Sequence, residues 1–62
     1  MSVKRRDLVR YFEKHGFYLL REGANHSIYT NGTKVVPVKR HVHFDRRTAN
    51  ELCKQAGLTP KF

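Results

Sequence analysis

A histidine behind a short, flexible loop is the residue of this sequence best suited to chemistry. His26 follows Gly23, Ala24 and Asn25 in the stretch REGANHSIYTNG, residues 21–32. Imidazole titrates near neutral pH, so this side chain can act as a general base or a general acid. Most histidines have no catalytic role, and the competing interpretation is an ordinary residue at a strand edge. Spacing alone does not decide between the two.

The residues with metal or redox chemistry give weaker signals. His41 and His43 alternate along the chain, but no third and fourth ligand follow at the spacing of a zinc site, so we expect no metal and no cofactor. The single Cys53 excludes an internal disulfide and is compatible with a reducing cytoplasm. It lies on the apolar stripe of a predicted helix, which indicates a buried, unreactive thiol.

Positive charge dominates the composition. Thirteen Lys and Arg residues oppose five Asp and Glu residues in a chain of 62, which gives a net charge of +8. This density favours a polyanion or an acidic protein as the partner, and a merely solvated surface is the simpler alternative. The side chains that we expect to contact a nucleic-acid backbone are Lys4, Arg5, Arg6, Arg10, Lys39, Arg40, Arg46 and Arg47.

No stretch of the sequence indicates a membrane partner or export. No apolar run approaches the roughly 20 residues that span a bilayer. The basic N-terminus is not followed by the apolar segment of a secretion signal. We therefore expect a cytoplasmic protein.

The elements that must position these residues follow from hydrophobic periodicity. We predict a helix over residues 2–16, strands over 17–22, 25–30 and 33–39, a connection over 41–45 and a helix over 46–57. Two amphipathic helices and one small antiparallel sheet predict a two-layer α+β domain with both helices on one face of the sheet. Residues 1–62 are expected to form one domain, with a tail at 59–62 that frays.

The turn between the second and third strands determines which side chains share a face. Asn-Gly at residues 31–32 is a strong signal for a two-residue type I′ turn, which sets Tyr29 opposite Lys34. In this register Lys34 and Arg21 lie close to His26, where they would bind phosphate. Because side chains alternate along a strand, the helix-covered face is predicted to carry Tyr29, Val36 and Val38, and the open face His26, Ile28 and Val35.

A few residues define the edges and ends of the elements. Pro37 cannot donate to a ladder, so its strand belongs at a sheet edge. Asp45 or Thr48 can cap the last helix, and Gly57 ends it. The core is predicted to contain Leu8, Phe12, Phe17, Leu52 and Cys53.

The order of these motifs resembles a known family. A helix with the pattern DLVRYFEKHGF leads to a strand ending in Arg, a loop closing on His26, the dipeptide IY, a turn, VVPV and finally LCKQAGL. From about Lys4 to Leu58 the chain resembles the HicA toxins of prokaryotic toxin–antitoxin modules. The closing KQAGL and the His-x-x-aromatic arrangement of His26 and Tyr29 are the most specific parts of the resemblance.

The resemblance implies a fold similar to a double-stranded-RNA-binding domain, in the order αβββα. It also implies an mRNA interferase, a metal-independent endoribonuclease that arrests translation, depends on the loop histidine and is neutralised by a HicB-like antitoxin. The family histidine corresponds to His26. The commonest family loop reads Gly-Ser-His, whereas this chain has Ala24, Asn25 and His26, and Asn tolerates the backbone angles of such a turn.

Strand cleavage of RNA requires several groups at one place. A base takes the proton of the 2′-hydroxyl, an acid protonates the leaving 5′-oxygen, and positive charge stabilises the phosphate. His26 is our candidate for one of the two proton-transfer roles. Tyr29, His41 and His43 are the candidates for the other, although Tyr29 is predicted on the opposite face of the sheet.

Three functions fit these observations. The first is an RNA-cleaving toxin in which His26 is essential, and the second is a non-catalytic module that binds double-stranded RNA or DNA through the basic surface. The third is an interaction protein whose basic patches dock an acidic partner, with only weak, salt-labile contact to nucleic acid. The loop histidine and the family pattern favour the first.

Overall fold

The computed structural model describes residues 2–62, which form two helices and five strands. In chain order these are β1 (Ser2–Lys4), α1 (Arg5–Lys14), β2 (Tyr18–Glu22), β3 (His26–Thr30), β4 (Val35–Lys39), β5 (His43–Asp45) and α2 (Arg46–Gln55). The predicted α+β fold is confirmed, since β2, β3 and β4 form an antiparallel sheet in that order between the two helices in sequence. Neither helix is long and apolar enough to cross a membrane.

A second, two-stranded ladder was not predicted. It replaces the predicted start of the first helix and part of the connection predicted before the last helix. β1 pairs antiparallel with β5, and this pairing sets Val3 opposite Phe44, both of them buried. The helix begins at Arg5 instead of residue 2, because residues 2–4 take their backbone partners from β5. The amide of Arg5 donates to the carbonyl of Val42 at 2.8 Å, which ties the start of α1 to the segment after β4.

The register between β3 and β4 differs from the predicted one by two residues. Tyr29 lies opposite Val36, and His26 lies opposite Lys39. A shift by an even number of residues keeps every side chain on its predicted face. The buried side of the hairpin carries Ser27, Tyr29, Val36 and Val38, whereas Val35 and Pro37 are exposed.

The cause of this shift is the side chain of Asn31. Its Oδ1 accepts hydrogen bonds from the amides of Thr33 and Lys34, at 2.9 and 2.7 Å. These bonds close a four-residue loop in place of a type I′ turn, which would require a positive φ at Asn31. Among the described residues only glycines have a positive φ, and in this loop it is Gly32, at +93°.

The core lies between the sheet and the two helices. All five side chains predicted for it are buried: Leu8, Phe12, Phe17, Leu52 and Cys53. Burial raises the pKa of the Cys53 thiol, which favours the protonated, unreactive form. The prediction of an inert cysteine is consistent with this environment.

Helix α2 is held at both ends as the sequence indicates. The Oδ1 of Asp45 accepts a hydrogen bond from the amide of Thr48 at 2.6 Å, and this bond lowers the pKa of the Asp45 carboxyl. At the other end Gly57 adopts a φ of +75°, and the amide of Leu58 donates to the carbonyl of Cys53 at 2.8 Å. Such a left-handed residue followed by a backbone bond to the last turn is a common helix ending.

The C-terminal residues, expected to fray, make specific contacts with both helices. The hydroxyl of Tyr11 donates to the carbonyl of Thr59 at 2.8 Å, and the amide of Phe62 donates to the Oδ1 of Asn50 at 2.9 Å. The ammonium of Lys61 lies 4.7 Å from the centre of the Tyr11 ring. Residues 59–62 therefore cover part of α1 and α2.

Candidate active site

His26 is the first residue of β3, the central strand of the sheet. It lies opposite Lys39, the last residue of β4, and alternates with the buried Ser27, so its half-buried imidazole belongs to the open face. The loop at residues 23–25 precedes it, and the segment at 40–42 follows Lys39. The prediction that His26 lies on the open face or its rim is confirmed.

Three shallow depressions of the surface meet at His26. The first, of about 430 Å³, is lined by Ala24, Asn25, His26, Lys39, Arg40 and His41. The second, of about 490 Å³, extends from His26 toward β2 and includes Arg21 and Ile28. The third, of about 200 Å³, extends from His26 toward α2 and includes Phe44 and Leu52. A ligand on this side of the molecule can therefore approach the imidazole from several directions.

A polar network fixes the backbone on both strands beside His26. The hydroxyl of the fully buried Ser27 accepts a hydrogen bond from Nη2 of Arg5 and donates one to Oε1 of Glu22, each at 2.9 Å. The Nε of Arg5 donates to the carbonyl of Lys39 at 3.2 Å. Ser27 follows His26 in β3, and Lys39 of β4 lies opposite His26. The guanidinium of Arg5 therefore joins the two strands beside His26.

Arg40 fixes the loop that precedes His26. Its Nη2 donates to the carbonyl of Gly23 at 2.7 Å and lies 3.5 Å from Oε2 of Glu22. The amide of Gly23 donates to the carbonyl of His26 at 2.7 Å. A bulge in β2 between Leu19 and Arg21 aligns Glu22 with Ser27. In this position Glu22 contacts both the hydroxyl of Ser27 and the guanidinium of Arg40.

The cations predicted to bind RNA lie in separate groups. Arg21, Lys39 and Arg40 line depressions together with His26. Lys4, Arg5 and Arg6 line another depression, of about 530 Å³, with Val42 and His43. Arg10 lies in a further one beside Tyr11 and Lys61, and Arg46 and Arg47 are exposed in the first turn of α2.

Lys34 does not lie close to His26, and that part of the prediction was wrong. It closes the loop beyond Thr30, and His26 and Thr30 are the two ends of β3, about 13 Å apart at the rise of a strand. The side chain of Lys34 passes over Gly57, where an added Cβ would stand 3.1 Å from its Cε. The four-residue loop moved Lys34 out of the ladder and away from the histidine.

Comparison with models of known protein families shows which family the chain belongs to. Residues 5–58 match the model of a family described as the HicA toxin of bacterial toxin–antitoxin systems. The chain belongs to the HicA toxin family. No curated protein and no solved structure matches this chain. Membership makes this HicA chain the toxin of a toxin–antitoxin pair, and it indicates an antitoxin as its partner.

The candidates for a second proton-transfer group of this HicA toxin lie in three different places. Tyr29 is buried on the helix-covered face, as predicted. His43, on β5, lines the depression that contains Lys4 and Arg6. Of the three candidates, His41 is the one that shares a depression with His26. Within residues 2–62 no three His, Cys, Asp or Glu side chains are grouped to hold a metal ion.

Sequence reasoning missed the network around Ser27. Arg5 was predicted only as a contact to nucleic acid, and Ser27 received no role. A signal for the serine was nevertheless present, because strand alternation already placed Ser27 on the same face as Tyr29. A hydroxyl on the core-facing side of a sheet requires a buried hydrogen-bond partner, which is then sought among nearby charged residues.

Proposed function

We propose that this HicA toxin is a metal-independent endoribonuclease that cleaves mRNA and thereby arrests translation, with His26 as its essential residue. One observation carries the proposal: the imidazole of His26 lies where three depressions meet, and at least one cation lines each of them. A polyanion bound on this side of the molecule would bring a phosphate beside an imidazole and beside Lys39. The family membership of residues 5–58 supports the same function.

The side chains around His26 suit the chemistry of RNA cleavage. An imidazole can take the proton of the 2′-hydroxyl or protonate the leaving 5′-oxygen near neutral pH. Lys39 lies directly across the ladder, and Arg21 lines the neighbouring depression. Positive groups held at the phosphate stabilise the charge that develops in the transition state. These residues therefore supply proton transfer and charge stabilisation at one place.

The antitoxin proposed for this chain is a HicB-like protein. A toxin with a net charge of +8 favours a partner with an acidic surface. The open face beside His26 also carries apolar side chains, namely the half-buried Ile28 and the exposed Pro37 and Val35. A protein that covers these residues would bury apolar area and would exclude RNA from His26.

A cleavage assay with two histidine variants tests the function. Wild-type protein, His26→Ala and His15→Ala are incubated with single-stranded RNA in EDTA, and the products are separated on a gel. His15 is an apt control because it is exposed at the far end of α1, about 15 Å along the helix axis from Arg5. We expect wild type and His15→Ala to cleave and His26→Ala to be slower by about 100-fold or more. One equivalent of HicB-like antitoxin should abolish wild-type cleavage.

The outcomes separate the three candidate functions. Retained RNA binding without cleavage by His26→Ala supports the ribonuclease. If no variant cleaves but all bind double-stranded RNA or DNA, the protein is a binding module. Tight association with an acidic protein and only weak, salt-labile contact with RNA would instead support the interaction protein. Equal cleavage by wild type and His26→Ala would reject the role of His26.

A further inference from the structure

We propose that His41 is the second proton-transfer group of RNA cleavage and acts together with His26. The inference rests on the proposed ribonuclease function and adds a named partner for the essential histidine. Its position, the aromatic contact of its ring and the hydrogen bonds that occupy the other polar groups nearby all favour His41.

The two imidazoles line the same depression. His26 lies opposite Lys39 in the ladder between β3 and β4, and His41 follows Lys39 by two residues. Both histidines, with Lys39 and Arg40, line the depression of about 430 Å³ at the end of this ladder. A phosphodiester bound in the depression would therefore have two imidazoles and two cations around it.

An aromatic contact holds the ring of His41. Its centre lies 6.3 Å from the centre of the Phe44 ring, and the two planes meet at 84°, an edge-to-face arrangement. Phe44 is itself buried, and the ladder of β1 and β5 pairs it with Val3. Phe44 also lines the depression that extends from His26 toward α2. His41 is thus supported by a core residue that faces the same site.

The other candidates for the second proton-transfer group already have hydrogen-bond or ion-pair partners or lie in another part of the molecule. Glu22 accepts a hydrogen bond from Ser27 and pairs with Arg40. Tyr29 is buried on the opposite face, and the exposed His43 lines a different depression. Among the described residues that line the depression at the end of the ladder, His26 and His41 are the two that carry an imidazole.

A pair of imidazoles completes the balance of the reaction. The base removes the proton of the 2′-hydroxyl, and the oxygen attacks the phosphorus. The bond between phosphorus and the 5′-oxygen breaks, its electron pair leaves with that oxygen, and the acid supplies a proton. The products are a 2′,3′-cyclic phosphate and a 5′-hydroxyl. Since one imidazole must be neutral and the other protonated, the rate should pass through a maximum with pH.

The pH dependence also reflects the charges that face the two rings. Those that line the depressions around His26 come from β2, from β4 and from the residue after β4: Arg21, Glu22, Lys39 and Arg40. The residues of α2 that line the third depression, Thr48, Leu52 and Gln55, carry no charge. Imidazole ordinarily titrates within about pH 5 to 8. If one limb of the pH profile in this range disappears when a histidine is replaced, that limb is assigned to the replaced histidine.

The pH profile of kcat/KM is the first test. Wild type, His41→Ala, His41→Gln and the control His15→Ala are measured with single-stranded RNA in EDTA from about pH 5 to pH 8. We expect wild type and His15→Ala to give a bell-shaped profile. Both His41 variants should lose one limb and at least about 100-fold in rate. His41 is exposed and its ring contacts only the edge of the core at Phe44, so the urea midpoints of its variants should fall only slightly below that of wild type.

A second substrate assigns the role of His41. RNA with sulfur in place of the 5′-oxygen has a leaving group that needs no protonation. Recovery of the rate by His41→Ala on this substrate identifies His41 as the acid, and a lost limb without recovery identifies it as the base. If both His41 variants keep the bell-shaped pH profile of kcat/KM while His26→Ala has lost cleavage, this inference alone is overturned. Absence of cleavage by wild type overturns the proposed function as well.

Discussion

Arg5 joins the two residues that flank the candidate site in space, although it belongs to the first turn of α1. Its guanidinium donates to the hydroxyl of Ser27 at 2.9 Å and to the carbonyl of Lys39 at 3.2 Å. Arginine is suited to this task because its fork presents several donors in one rigid plane. The contacts make Arg5 a positioning residue for His26, whether or not it also contacts RNA.

Removal of this guanidinium should weaken both the fold and the site. We expect Arg5→Ala to lower the free energy of unfolding by about 2 kcal/mol, the range for hydrogen bonds to charged groups. Urea denaturation with an unchanged m-value measures this loss. Arg6→Ala is the matched control, because Arg6 is exposed and makes no side-chain hydrogen bond within residues 2–62. Equal stability of the two variants would contradict the positioning role.

A double-mutant cycle with Ser27 separates the specific contact from a general loss of charge. The variants are Arg5→Ala, Ser27→Ala and the combination of both. Residues that share a hydrogen bond commonly show a coupling energy of about 0.5 to 3 kcal/mol. We expect a coupling within that range, so the double variant should be more stable than the sum of the two single losses indicates. Additive losses would mean that Arg5 does not stabilise the fold through its contact with Ser27.

The elements themselves were predictable to different degrees. Amphipathic helices and apolar strands repeat along the chain, so their existence could be inferred from local periodicity. The ladder of β1 and β5 could not, because each strand has three residues and the three-stranded sheet separates the two in sequence. Val3 within a basic segment carries no periodic signal. Its role becomes visible only when Phe44 is placed opposite.

The β3–β4 hairpin shows why faces were easier to predict than register. Asn-Gly favours a two-residue turn, but the side chain of Asn31 closes a four-residue loop. Because the shift is even, His26 stays on the open face while its cross-strand partner becomes Lys39. The position of the candidate catalytic residue could thus be predicted from alternation. Its neighbours depend on the loop, and the loop depends on competing hydrogen bonds.

The first turn of α2 offers a prediction at the scale of one element. The hydrogen bond from the Thr48 amide lowers the pKa of the Asp45 carboxyl, so the ionised form stabilises the folded state. This stability is present above the unfolded pKa, near 3.8, and is lost as pH falls through the lower folded value. Asp45→Asn keeps an acceptor for the cap but does not titrate.

Urea midpoints measured between neutral pH and pH 2 test this account of the cap. Wild type should lose more stability on acidification below about pH 4 than Asp45→Asn does. Asp45→Ala should be less stable than Asp45→Asn at neutral pH, because it removes the acceptor as well. Parallel acid profiles for wild type and Asp45→Asn would show that the cap bond does not depend on the ionised carboxylate.

At the scale of the whole molecule, composition indicates a polyanion but does not locate it. The net charge of +8 is spread over several surfaces: the basic residues of α1 and β4 line different depressions, and Arg46 and Arg47 are exposed in the first turn of α2. Some of these cations also hold the fold, as Arg5 and Arg40 do through hydrogen bonds to strand and loop. The sequence could not separate structural from free cations, because the separation depends on three-dimensional contacts.

Two lysines of the same hairpin test where RNA lies. Lys39 stands opposite His26, whereas Lys34 lies beyond the other end of β3, and both are exposed. Each is replaced by Ala in a His26→Ala background, and RNA affinity is measured between about 50 and 200 mM salt. Loss of one phosphate contact should reduce the slope of log K against log salt concentration by about 0.7 for a single strand. We expect this reduction for Lys39→Ala and none for Lys34→Ala. Equal changes in both would mean that net charge, rather than a site centred on His26, governs RNA binding.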